Sequence, residues 1–243
     1  MSYLPMLSEF SVEGPIVVAD FGKFMGIPIR LTESITVQWL IILIFGVLFF
    51  VLGRNLEVKP TTRRQVIAEM IVGTLNGMVN DTMGPKYFRY QPYIGALLMF
   101  SLGLSISVYL GMLPPTADIS VIATWGVLTF MLTNYNRFKS GGLLRGAKSF
   151  AKPIFLLPSN LISEISNPMS QTFRHYGNIL AGLIIGGLIF WALQMAIKIP
   201  ILIPVPLSLY FDLFQGFLQA YVFATLTMVY ISMADTSPEA EEA

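Results

Sequence analysis

The sequence predicts an all-α polytopic membrane protein with about five transmembrane helices and one interfacial amphipathic helix. Three observations predict it. Of 243 residues, 54% are hydrophobic and only 12% charged, against about 25% charged in a typical soluble domain. The charges are segregated, leaving uncharged runs long enough for the roughly 20 helical residues that cross a hydrocarbon core of about 30 Å. Those runs are continuous, whereas a β-barrel shows short alternating segments. One transmembrane domain, 35–234, is expected between an extramembrane arm, 1–34, and an acidic tail, 235–243.

Composition narrows the function. The net charge of +1 gives no reason to expect a nucleic-acid partner. With no cysteine and a single histidine, neither a disulfide framework nor a Cys or His metal cluster is expected, and no cofactor is expected. The N-terminus lacks a basic stretch followed by an apolar one, so no cleavable signal peptide is expected. No G-x-x-x-x-G-K-[ST] loop is present, so this chain does not hydrolyse ATP itself.

In order along the chain, the arm mixes Glu9, Glu13, Asp20 and Glu33 with Lys23 and Arg30, and leaves a short hairpin and an interfacial piece both open. The first span is 35–53. Residues 62–83 differ in kind: Thr62 and Gln65 match a capping box, and Ile67, Met70, Ile71, Leu75, Met78 and Val79 recur at helical spacing. Such a helix lies in the membrane interface or packs on its own bundle. An aromatic, proline-containing turn at 84–93 precedes the second span, 94–112, which Pro114 and Pro115 end. Asp118 reads as the capping acid of the third span, 117–135. Residues 137–152 read as a basic, glycine-rich loop. A long helix over 153–197, a proline-punctuated turn at 198–206 and a last span, 207–233, follow. The short turn makes the last two helices antiparallel neighbours.

Orientation follows from Lys and Arg counts. Six cations lie between Arg54 and Arg89 and five in 137–152, while the other side holds Lys23, Arg30 and Lys198. The N-terminus is therefore expected outside and the C-terminus in the cytoplasm.

The long helix carries the main anomaly. Glu164, Asn167, Gln171, Arg174 and Asn178 fall at steps of 3, 4, 3 and 4, which puts them on one helix face. An Arg near a bilayer centre costs about 2.5–3.5 kcal/mol on insertion scales, and such a residue marks a functional site by default. A structural reading also stands, with Arg174 snorkelling or paired with Glu164. The last span repeats the pattern with Asp212, Gln215 and Gln219 at steps of 3 and 4. Asn178, Asp212, Gln215 and Gln219 would form a polar path on the outer side of Arg174, with Glu164 and Asn167 on its cytoplasmic side. A cation between two polar half-paths blocks straight-through cation flow. Gly177, Ala181, Gly182, Gly186 and Gly187 give a smooth stretch against which another helix can pack closely.

At these residues the chain resembles subunit a of the rotary F-type ATP synthase. Arg174-His175-Tyr176-Gly177-Asn178-Ile179-Leu180-Ala181-Gly182 is similar to that family's Arg-Leu-Phe-Gly-Asn-x-x-Ala-Gly motif. Leu218-Gln219-Ala220-Tyr221-Val222-Phe223, then Leu226-Thr227-Met228-Val229-Tyr230, resembles its closing motif. Thr116 to Ile119 and Glu164 to Pro168 resemble two lesser ones. The likeness runs in order over about 35–235.

The resemblance implies a stator subunit in the plasma membrane of a bacterium. Its partners would be a ring of c subunits, peripheral-stalk b subunits, the rest of the two-sector complex and membrane lipid, with the last two helices lying tilted against the ring. It implies that Arg174 is the essential arginine facing the ring's ion-binding carboxylate. Asn178 and Gln219 would line the outer access path, Asp212 would take the place of a His or Glu of that path, and Glu164 would sit near the cytoplasmic exit. H⁺ and Na⁺ both stay open, because in the family the ring's own site sets the ion. Two departures stand out: His175 where Leu is usual, and Leu183 where a second titratable residue is common. His175, pointing about 100° away from Arg174, reads as packed. The alternative is a self-contained secondary transporter of a small anion with Arg174 as counter-charge, but the inverted repeats that reading requires are not visible. A non-transporting scaffold is a third reading.

Overall fold

The computed structural model describes residues 16–24, 26–58, 62–110, 112, 114–150, 154–197 and 209–237. The turn at 198–206 and the tail from 238 onward lie outside the described residues, as do 1–15. The described part is an α-helical membrane bundle with one small hairpin.

The described part of the arm forms a hairpin, which extends further along the chain than 10–21, where the sequence leaves a hairpin and an interfacial piece both open. β1, Val17–Phe24, pairs antiparallel with β2, Ile27–Thr32, through a turn at Gly26. That turn needs the left-handed backbone Gly26 supplies at φ +84°. Asp20 accepts from Gly22 N at 2.9 Å and from Arg30 Nε at 3.3 Å, joining the two strands.

α1, Glu33–Gly53, leads straight off β2. Only Ser34, Val37 and Ile41 are buried in it, while Trp39, Leu43 and Phe50 are exposed. A 21-residue helix that shows apolar side chains outward is one solvated by lipid.

α2, Arg63–Met83, begins at the expected Thr62, but the capping box does not form. The Gln65 amide donates to the Glu57 carbonyl at 2.5 Å and to Glu69 Oε1 at 2.7 Å, and its oxygen accepts from Glu57 N at 3.1 Å. The incoming segment outcompetes the helix terminus for this side chain. The apolar face of α2 is divided: Val79 and Met83 are buried in the bundle, whereas Ile67 and Met70 are exposed.

A 3₁₀ turn, Pro85–Tyr90, leads into α3, Gln91–Ile106, which starts three residues earlier than expected. Pro92 lies in its first turn, where a missing N–H costs nothing. The helix tightens to 3₁₀ at Ser107–Leu110. α4, Ile119–Ser149, is capped by Asp118 as expected: its carboxylate accepts from Ser120 N at 3.0 Å and from the Ser120 hydroxyl.

The predicted basic loop at 137–152 is a correction. The helix runs on through 137–141, bends at Gly142 (φ +76°, ψ 168°) and continues to Ser149. At the start of this continuation Arg137 is tied to the next helix by an ion pair with Glu164.

α5, Leu157–Ile197, has 41 residues and is roughly 60 Å long at 1.5 Å per residue. Pro168 lies inside it. After a π-helical turn, Leu209–Phe214, comes α6, Gln215–Met233. α6 packs against α2, α3, α4 and α5 and buries Gly216, Gln219, Ala220, Phe223, Ala224 and Thr227 along one side. Among the described residues, three helical stretches have the length and composition to cross a membrane: Glu33–Gly53, Ile154–Leu193 and Gln215–Met233.

The start of the acidic tail is not free. Asp235 accepts from Lys86 Nζ at 2.7 Å, Tyr87 Oη at 2.5 Å and Ser237 N at 2.8 Å. Thr236 N donates to Ser140 Oγ at 3.0 Å, and its hydroxyl to the Arg137 carbonyl at 2.9 Å. Burial raises the Asp235 carboxyl, but the hydrogen bonds from Lys86, Tyr87 and Ser237 outweigh it and hold it below the usual carboxylate range. A depressed pKa stabilises the fold above the unfolded value near 4 and loses that stabilisation as pH falls below it. Asp235→Asn is expected to cost about 1–2 kcal/mol at pH 7, limited by the half-exposed Lys86. Thermal dissociation of the complex would show the full gap from pH 7 down to about pH 4 and its shrinking only as pH falls further; a gap that stays unchanged well below about pH 4 would contradict the assignment.

Candidate functional site

The site is built where α4, α5 and α6 meet. At about 100° per residue, with Arg174 set at zero, Asn167 lies near 20°, Asn178 near 40°, Gln171 near 60° and Glu164 near 80°. This arc straddles the edge of the packed face of α5. Its inner members are drawn into the bundle and its outer members stay at the surface.

Gln171 is buried at 1% exposure, donating to the Phe223 carbonyl at 2.8 Å and Thr227 Oγ1 at 3.2 Å. Asn178 Nδ2 donates to Gln219 Oε1 at 2.9 Å. Contacts that rise from 171 to 178 on α5 as they fall from 227 to 219 on α6 make the two helices antiparallel, as expected.

Glu164 does not pair with Arg174. Its Oε2 accepts from Arg137 Nη2 at 2.6 Å and its Oε1 from Asn134 Nδ2 at 3.2 Å. Arg137 also lies 4.2 Å above the Phe150 ring. Both charged side chains are largely enclosed, at 12% and 15% exposure. They border a cavity of about 470 Å³ together with Thr133, Asn160, Asn167 and Asp235. Asn167 itself is exposed.

Arg174 is exposed and has no hydrogen-bond or acidic partner among the described residues. Its neighbours on the surface are small: Ser170, Gly177 and Ala181 are exposed beside it. A Cβ added at Gly177 would meet nothing within 4 Å. The next residue, His175, points the other way and is fully buried between Trp125 and Phe223, at ring-centroid distances of 5.8 and 5.7 Å.

On the far side of Arg174 from Glu164, Asn178 borders a small cavity of about 10 Å³ with Ser105, Thr116, Gly182 and Leu183. Gln215 is half-buried at the first turn of α6. Asp212 falls in the π-helical turn, and its side chain lies outside the described set.

Three partners escaped sequence reasoning. Arg137 counted only toward topology, although Asn134 and Arg137 at a step of three share a face of α4. Thr227 carries no charge to attract notice. The Trp125–Phe223 pair resembles ordinary core.

Gly216 fixes how closely α3 and α6 approach here. A Cβ on it would lie 2.6 Å from the Ser105 Cβ. Gly216→Ala is therefore expected to force the two helices apart at a cost of about 1–3 kcal/mol. A lowered dissociation temperature, recovered by adding Ser105→Gly, checks it; an unchanged temperature would show that the helices yield freely.

A family model described as ATP synthase A chain matches residues 35–232. A protein from Propionigenium modestum, named ATP synthase subunit a, sodium ion specific, is 33% identical over 95% of this chain and 82% of its own length. The ATP synthase subunit a of Bacillus subtilis is 33% identical over 86% of this chain and 94% of its own. That of Moorella thermoacetica is 30% identical over 84% and 91%.

Proposed function

This chain belongs to the ATP synthase A chain family and is a membrane-embedded subunit of that complex, not an enzyme on its own, and from that premise we propose that it loads and unloads ions on a ring of c subunits through two offset half-paths. The outer half-path is Asn178 and Gln219 with Asp212 and Gln215. The cytoplasmic one is the cavity at Glu164 and Asn167, with Gln171 on the inner flank of the stripe.

The observation that carries this reading is Arg174: exposed, unpaired among the described residues and flanked by small side chains, on a helix otherwise suited to lipid. Left to face lipid, that guanidinium would be costly. A carboxylate on an adjacent helix removes the cost, and the small neighbours let that helix approach. Such a carboxylate, loaded from outside, becomes neutral and moves into lipid. It gives up its ion on the cytoplasmic side, and Arg174 stabilises the emptied site as it passes. A potential of 100 mV supplies about 2.3 kcal/mol for each charge moved.

The orientation, with the N-terminus outside and the C-terminus in the cytoplasm of a bacterial plasma membrane, rests on the distribution of cations. The b subunits follow from the complex. The test is ATP-driven ion uptake into vesicles carrying the assembled complex, wild type against Arg174→Ala, with and without Na⁺. Na⁺ dependence in the wild type would extend to this chain the ion named for the Propionigenium modestum relative.

A further inference from the structure

Between the two polar half-paths, the interior of the chain itself is layered. Facing residues of α4, α5 and α6 meet in levels one helical turn apart, about 5.4 Å. The level toward Glu164 is polar. Thr129 and Thr227 share a hydrogen bond of 3.2 Å, Gln171 reaches Thr227, and Thr129 borders the large cavity. The level toward the small cavity is also polar, with Asn178 bonded to Gln219. Gln171 Oε1 and Gln219 Nε2, one in each level, are buried and have no hydrogen-bond partner among the described residues.

The level between them is different. Trp125, His175 and Phe223 pack edge-on, with centroids 5.7–5.8 Å apart and interplanar angles of 73–81°. Phe100 of α3 adds a fourth ring, 5.9 Å from Trp125. His175 and Phe223 are fully buried, and Trp125 is 6% exposed. Both imidazole nitrogens lack a partner among the described residues. Because His175 follows Arg174 directly, this level lies within about 1.5 Å of the depth of Arg174 along the helix.

Resting on the half-path reading above, we infer that the Trp125–His175–Phe223 level is a septum that closes the interior of this chain to ions at the depth of Arg174. Arg174 guards the ring-facing side; the rings guard the inside. An ion entering the level from either polar layer would lose its partners and be buried as an unpaired charge. Proton hopping fails too, because neither nitrogen of His175 has a hydrogen-bond partner among the described residues and the other rings supply it none, so no file of hydrogen bonds crosses the level. Without this level, Gln171 and Gln219 would be joined through the protein, and ions would cross without turning the ring.

The experiment measures passive proton uptake under an imposed potential into vesicles carrying the assembled complex, with the ring carboxylates blocked by a carbodiimide. Wild type should show little blocked-state flux. Phe223→Ala should raise it about tenfold, equivalent to about 1.4 kcal/mol on the barrier. Phe223→Val, run alongside as the milder change, should raise it less. Adding Gln171→Leu to either should bring the flux down again, because the leak needs the polar level beside the septum. His175→Leu should leave it at the wild-type level. Assembled Phe223 and Trp125→Ala complexes with no rise would overturn the septum. So would a wild-type blocked-state flux that His175→Leu abolishes, since the imidazole would then be a relay. Failure of the half-path reading would appear separately, as carbodiimide-sensitive uptake that survives Arg174→Ala.

Discussion

Vesicles carrying the Arg174→Ala complex are expected to hydrolyse ATP without accumulating ions. Two unit charges 4 Å apart attract by about 4 kcal/mol at an effective dielectric of 20, and each 1.36 kcal/mol is tenfold in rate. Loss of that attraction predicts a fall in uptake of about a thousandfold. The structure makes the experiment decisive, because Arg174 is exposed and holds no partner within the described chain. A substitution at such a position changes stability by only about 0.5 kcal/mol, so the complex should still assemble. Arg174→Lys is expected to recover part of the uptake, keeping the charge but not the planar fork that meets a carboxylate on two atoms. Pumping undiminished in Arg174→Ala would return the residue to the structural reading of a snorkelling side chain.

Arg137→Ala is expected to have the largest effect on stability. It leaves the Glu164 carboxylate, 15% exposed, facing a cavity with Asn134 as its one remaining donor among the described residues. Removing one member of a buried pair costs about 3–5 kcal/mol, mostly from the charge left behind; this pair is part-buried beside a cavity, so the loss is expected at the low end, about 3 kcal/mol. Converting Glu164 to Gln in the same chain should restore most of the loss. The dissociation temperatures of the two variants against wild type measure this. Equal losses in the single and double variants would mean that the Arg137 side chain stabilises through Phe150 and packing instead.

Much of the bundle was legible in the sequence. The spacing of Glu164, Asn167, Gln171, Arg174 and Asn178 marks one stripe on one helix, and Asp118 caps the third span as its side chain and position require. The cause is local in each case: helical periodicity and capping are set by neighbours in the chain. The failures are equally physical. Gln65 has the right residue type for a capping box, but Glu57 offers its amide two partners at once. The 137–152 segment looks like a loop by its glycines and charges, yet it is helical to Ser149, with Arg137 and Ser140 near its start held by Glu164 and Thr236 from far along the chain.

Residue order alone makes this a helical membrane chain, with a guanidinium where lipid would penalise it and a second polar stripe to meet the first. How one stripe divides is a matter of packing between helices. Gln171 and Asn178 turn inward onto α6, Glu164 goes to Arg137, and Arg174 is left outside. Periodicity places side chains on a face to within a few tens of degrees. Whether a residue at the edge of that face is buried or free depends on the helices packed beside it, and those contacts are made between residues 27 to 56 positions apart.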